Sequence, residues 1–171
     1  MAVGATAPGF TLKDQNNQEI SLADFRGRKA VLLVFYPFTF TGTCQGELSE
    51  INEHLPDYQN SSVQVLAVSV DSVYSHKVWA TERGFGFPLL ADFWPHGGVA
   101  SAYEVFHAAG GFANRGTFVI DADGVIRFAE ELGPGEKRDA CAAHGTEGIC
   151  NTSSLGCKWS AAASKCESKT E

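Results

Sequence analysis

A chain of 171 residues is the length of one domain, able to bury roughly two thirds of the surface its unfolded form exposes. Hydrophobic residues at 44% against charged ones at 19% exclude a disordered chain. The balance of 13 basic against 20 acidic residues leaves a net charge of -7. Such a surface repels phosphate backbones and anionic lipid, so neither nucleic acid nor a membrane is expected as a partner. The opening MAVGATAPGF lacks a basic region ahead of a long apolar stretch, which makes the cytoplasm the expected compartment.

In chain order, residues 10–12 read as a short strand and 14–17 as a turn. Ser21 caps one helical turn, with Asp24 as its reciprocal partner. The run AVLLVFYP at 30–37 is continuously apolar, β-branched and aromatic, a central strand covered on both faces and stopped by Pro37. A loop over 38–43 follows. Leu48, Ile51, Leu55 and Tyr58 then recur at helical spacing, so a helix begins close to Thr43 or Cys44. Residues 63–70 form a second buried strand, and 75–83 a short helix with Val78 and Trp79 inward. Residues 87–90 are extended, 101–106 helical and closed by Gly110 and Gly111. Residues 116–121 are a strand that turns at Asp123-Gly124 into an antiparallel return over 125–129. Strands alternating with helices, ending in an antiparallel pair, predict an α/β fold: a central mixed sheet flanked by helices.

Three features converge on Cys44. It follows a buried strand and a Pro-terminated loop, it lies in the first turn of a helix, and its neighbours are the hydroxyls of Thr39, Thr41 and Thr43. Free N–H groups and the positive end of a helix favour a negative sulfur. In general a thiol whose pKa falls from about 8.5 to about 6 gains roughly thirty-fold in thiolate at pH 7. The competing reading is a buried core thiol; against it, TFTGTCQGE is not a core run. Thr41-x-x-Cys44 has the spacing of a redox C-x-x-C pair with threonine in place of the first cysteine, so dithiol exchange within it is excluded.

The stretch from Pro37 to Cys44 matches P-x-x-x-T-x-x-C, and the flanking GATAPGFTL, LLVFYP, FPLLADFWPHG and NRGTFVIDADGVIRF extend the match over about residues 3–138. By these residues the chain resembles the peroxiredoxins, most closely the AhpE-like one-cysteine group of mycobacteria and related actinobacteria. The resemblance implies a thioredoxin-like fold over residues 1–138 and a thiol peroxidase acting on hydrogen peroxide, organic hydroperoxides and peroxynitrite. It implies Cys44 as the peroxidatic cysteine, Thr41 as the hydroxyl that holds the peroxide, and Pro37 as the shield of the sulfur. Arg115 would be the guanidinium that holds thiolate and departing oxygen. Glu47, one turn after Cys44, either orients that arginine or is a solvated helix residue. No prosthetic group or metal is expected, because sulfur itself carries the two electrons. A homodimer built near the loops flanking Cys44 and Arg115 is implied. So is an external reductant of the mycoredoxin and mycothiol kind, since Ser49 stands where some members carry a resolving cysteine.

Residues 139–171 depart from that pattern and carry Cys141, Cys150, Cys157 and Cys166. This tail is inert, or supplies a resolving thiol, or binds zinc together with His144. Its cysteine spacings of nine, seven and nine residues lack the C-x₂₋₄-C knuckles of zinc sites, which disfavours the last. A short helix is expected over 159–165. The rival to an enzyme is a thiol-based redox sensor or binding module of the same fold.

Overall fold

In the computed structural model, residues 1–133 and two short strands, Cys157–Ser160 and Lys165–Ser168, are described. The chain enters through β1 (Thr11–Lys13) and β2 (Glu19–Ser21), an antiparallel pair. Their turn is closed by the Asp14 carboxylate, which accepts the Asn16 and Gln18 N–H groups at 2.8 and 2.9 Å. A 3-10 turn (Leu22–Phe25) follows, and the Ser21 N–H donates to Asp24 Oδ2 at 3.0 Å, as the capping pattern predicts.

The apolar run forms β3 (Ala30–Phe35), parallel to β4 (Val63–Ser69) and antiparallel to β8 (Arg115–Ile120). β5 (Leu89–Ala91) lies beyond β4, and β9 (Ile126–Leu132) beyond β8. The seven strands run in the order β2-β1-β5-β4-β3-β8-β9. Alternation along β3 divides the core. Val31, Leu33 and Phe35 meet Phe118, Ile120 and Tyr103 on one face. Leu32, Val34 and Tyr36 meet the helices α1 (Gly42–Glu53) and α3 (Val73–Arg83) on the other. Leu33, Phe35 and Leu66 are wholly buried. At about 1.5–3 kcal/mol for each such side chain, these strands form a rigid base for the loops at their ends.

Four expectations are corrected. The stripe from Leu48 to Tyr58 is two helices, α1 and α2 (Leu55–Tyr58), broken at His54. Pro56 lacks an N–H and fits only the first turn of a new helix. Val78 is half exposed, because His76, Trp79 and Ala80 occupy the buried face of α3. The helix expected over 101–106 is α4 (Gly98–Ala102). The Asp92 carboxylate draws its start earlier by accepting the Val99 and Ala100 N–H groups at 3.0 and 2.9 Å. Glu104, at φ 62°, then ends helical geometry. Phe106–His107 (β6) and Phe112–Ala113 (β7) pair as a hairpin across Gly110-Gly111. Finally, Cys157–Ser160 (β10) and Lys165–Ser168 (β11) are antiparallel strands where a helix was expected; Cys-Lys-Trp-Ser alternates at the period of a strand. The other tail residues lie outside the described residues, and with them the domain boundary at 138.

His76 is fully buried, with Nε2 2.7 Å from Ser69 Oγ. Burial pushes its pKa down from 6.5 to about 4, against the opposing pull of the Asp71 charge. The folded ring stays neutral while the unfolded chain takes up a proton below pH 6.5. The stability present above pH 6.5 should therefore fall by up to about 3 kcal/mol as the pH drops toward 4. Urea midpoints at pH 7 and pH 4.5 check this: His76→Gln is expected to lose clearly less on acidification than the wild type. Equal losses would refute it.

Candidate active site

The Tyr36 N–H continues the β3 ladder to the Val68 carbonyl at 3.0 Å, and Pro37, with no N–H, ends it. The loop then turns through Phe40, which sits at φ 68°. A bulky L-residue in this region costs of order 1–3 kcal/mol and persists only where its surroundings hold it. Thr41 is the N-cap of α1 and Cys44 is its third residue. The first intrahelical bond runs from the Gln45 N–H to the Thr41 carbonyl at 2.9 Å. The N–H groups of Gly42, Thr43 and Cys44 precede it and point toward the helix start, where negative charge is favoured.

Cys44 is 3% exposed and belongs to the core cluster of that face, yet it also lines a cavity of about 250 Å³. The two sequence readings of this cysteine thus meet: the residue is buried and borders the space. Pro37, Phe38, Thr41, Thr43, Phe112 and Arg115 line the same cavity. Cys44 is a free thiol.

Arg115 is the first residue of β8 and reaches the site because β8 runs antiparallel to β3, its start lying beside the end of β3. It is 3% exposed. Its guanidinium is gripped side-on by Glu47: Nε donates to Oε2 at 3.3 Å and a terminal nitrogen donates to Oε1. The Glu47 hydrogen bond holds Arg115 above its ordinary pKa against burial, with smaller contributions from the charges of Glu47, Cys44 and Glu130. Of the two sequence readings of Glu47, the pairing with Arg115 is the one the geometry contains.

The Thr41 hydroxyl donates to the Phe38 carbonyl at 2.7 Å. Its single proton is committed, so its lone pairs face outward as acceptors. The five residues singled out in the sequence, Pro37, Thr41, Cys44, Glu47 and Arg115, therefore converge; four border the cavity and Glu47 stands behind Arg115.

Two contributors were not legible. Phe112, on the β6–β7 hairpin, packs on Phe38 with ring centroids 5.2 Å apart and makes the cavity's apolar wall. Nothing in GGFANRG marks that ring. Asp71, just past β4, accepts the Thr39 N–H at 2.8 Å. An acidic residue ending a buried strand was the available signal. Among the described residues, no group of three or more His, Cys, Asp or Glu could hold a metal ion. No helix among them is long and apolar enough to cross a membrane.

Comparison with known proteins bears on the whole of this unit. The AhpC/TSA family profile matches residues 3–129. Alkyl hydroperoxide reductase E of Mycobacterium tuberculosis is 59% identical over 137 residues, covering 80% of this chain and 90% of that protein. The selenocysteine-containing peroxiredoxin PrxU of Peptoclostridium acidaminophilum is 39% identical over 142 residues, covering 77% of this chain and 68% of the relative. Among solved structures, the reduced 2-Cys peroxiredoxin of Plasmodium vivax superposes with a TM-score of 0.71 at 28% identity, covering 81% of this chain and 91% of that one. The peroxidoxin BcpB of Mycobacterium tuberculosis gives 0.70 at 28% identity, covering 77% and 86%. The fold is thioredoxin-like, a mixed sheet flanked by helices, as expected from the sequence. The chain belongs to the AhpC/TSA (peroxiredoxin) family of thiol peroxidases, close to the AhpE-like one-cysteine peroxiredoxins of mycobacteria.

Proposed function

We propose that Cys44 is the peroxidatic cysteine of a thiol peroxidase that reduces hydrogen peroxide and organic hydroperoxides, peroxynitrite included among its oxidants. The observation that carries this reading is the convergence of Cys44, Thr41 and Arg115 on one cavity at a helix N-terminus. The sulfur pair attacks the terminal peroxide oxygen in line with the O–O bond. An S–O bond forms as the O–O bond breaks, and alkoxide or hydroxide leaves and is protonated to alcohol or water. Sulfur loses two electrons and becomes a sulfenic acid. Thr41 accepts the peroxide O–H through its outward lone pairs and so aligns the substrate. Arg115 and the first N–H groups of α1 carry the charge that builds on the departing oxygen. Pro37 excludes water from the sulfur. The Phe38–Phe112 wall supports a substrate with an apolar tail.

An external thiol then attacks the sulfenic sulfur, releases water and leaves a mixed disulfide that a second thiol resolves. A mycoredoxin or mycothiol type of reductant in a reducing cytoplasm fits this scheme. Ser49 offers no resolving sulfur on α1. Peroxiredoxins form dimers, and we place the homodimer interface on the loops flanking Cys44 and Arg115, where Phe38 and Phe40 are exposed.

Intact mass after one equivalent of hydrogen peroxide, with and without dimedone, tests the scheme on the full chain. One dimedone adduct at Cys44 and catalytic peroxide consumption with added thiol are expected. Loss of two protons, with Cys44 joined to a tail cysteine, would overturn the external reductant. Consumption that stops at one equivalent despite excess thiol would favour the sensor.

A further inference from the structure

We propose that Asp71 is a positioning residue for the loop that carries the reactive site, mooring it from the neighbouring strand. The inference rests on the reading of Cys44 as the peroxidatic cysteine. β3 and β4 are parallel and in register to Phe35 and Val68, so the chain leaving β4 passes beside the loop that leaves β3. There one carboxylate oxygen of Asp71 accepts two hydrogen bonds, from the Thr39 N–H at 2.8 Å and from the Ser69 hydroxyl at 2.7 Å. Ser69 has a single proton, and that bond uses it. His76, whose Nε2 lies 2.7 Å from Ser69 Oγ, must therefore be the donor in their contact, in its Nε2–H tautomer. The anchor is thus wired into α3 through fully buried Ser69 and His76.

The loop end is equally specific. Thr39 is 6% exposed while Phe38 and Phe40 on either side of it are exposed, so Thr39 is the loop residue sunk into the body of the domain. The Thr39 hydroxyl lies 3.2 Å from the Tyr36 phenol, which secures the same residue by its side chain. From Thr39 the constraint passes one residue either way. On one side is the Phe38 carbonyl, which receives the Thr41 hydroxyl. On the other is Phe40, held at φ 68°. Both set where the helix N-terminus and the Thr41 oxygen stand relative to Cys44. The donors to Asp71 are neutral, and among the described residues no lysine or arginine pairs with it. Its part is that of a two-bond acceptor.

An acceptor can be replaced by another acceptor, which separates this role from charge and from general stability. The full chain carrying Asp71→Ala, Asp71→Asn or Leu22→Ala is compared with wild type. Leu22 is a core residue packed on the other face of the sheet and serves as a destabilising control. Two quantities are read: amide hydrogen exchange over residues 36–44, and the single-turnover rate of Cys44 with hydrogen peroxide. Asp71→Ala is expected to raise the exchange and to slow the peroxide step, each about tenfold or more. Asp71→Asn should stay within threefold of wild type in both, and Leu22→Ala within twofold. If Asp71→Ala does not fold, Asp71→Ser, whose oxygen stops short of Thr39, carries the same expectations. Unchanged exchange, an unchanged peroxide step, an Asn variant as slow as Ala, or equal slowing in Leu22→Ala would each overturn the assignment. A wild-type protein no faster with peroxide than free cysteine would sink the reading of Cys44 instead, and the exchange measurement would still decide whether Asp71 moors the loop.

Discussion

Cys44→Ser is expected to abolish peroxide turnover, by a factor on the order of 10⁴ or more, as loss of a sole nucleophile does. The substitution is nearly isosteric, and the residue is 3% exposed with its helix packed behind it at Leu48 and Ile51. Placing a hydroxyl where a thiol stood costs about 1–3 kcal/mol where it finds no partner, which a domain with two full core layers tolerates. Folding is therefore retained and chemistry lost. A serine hydroxyl stays protonated at neutral pH, and helix N–H groups that favour a thiolate cannot ionise it. Peroxide consumption with excess dithiothreitol, followed alongside thermal unfolding, separates the two effects. A serine variant that consumes peroxide at the wild-type rate would move the chemistry to one of the tail cysteines and end the proposal for Cys44.

The parts of the fold that were legible are those where one local signal dominates. AVLLVF could only be a doubly covered strand, and Pro37 had to end it. The apolar stripe that opens at Leu48 put Cys44 within the first turn of a helix, and the helix begins at Gly42. Two of the misses share an origin: a partner outside the local stretch outweighs its pattern. Asp92 starts α4 before its apolar pattern would, and the β6–β7 hairpin takes Phe106, the last residue that read as helical. The same holds at the site. Cys44 and Thr41 declare themselves by adjacency, and Glu47 by its place one turn on. Arg115 lies 71 residues after Cys44 and was identified by family resemblance, since a single arginine ahead of a strand carries no local mark. Phe112 and Asp71 reach the loop only through the antiparallel hairpin and the parallel β3–β4 pairing. No window along the chain contains those relations.

Arg115→Ala should slow the peroxide step about a hundredfold, the usual effect of removing one preorganised donor to a developing oxyanion. Arg115→Lys should recover less than tenfold of that, because a point charge cannot reproduce the two-pronged geometry toward Glu47. Removing one member of a shielded pair also destabilises, so rates are compared well below each variant's unfolding transition. Glu47→Gln distinguishes the two possible duties of the carboxylate. It keeps an acceptor for the guanidinium but halves the grip, and a slowing of roughly threefold to tenfold is expected from a misaligned Arg115. If Glu47 acts only through Arg115, it has nothing left to align once the guanidinium is gone. Arg115→Ala and the double variant should then react at the same rate within twofold, a coupling of about the whole Glu47 effect. A double variant slower than Arg115→Ala by the full single-variant factor would mean that Glu47 acts on sulfur or peroxide independently of the arginine.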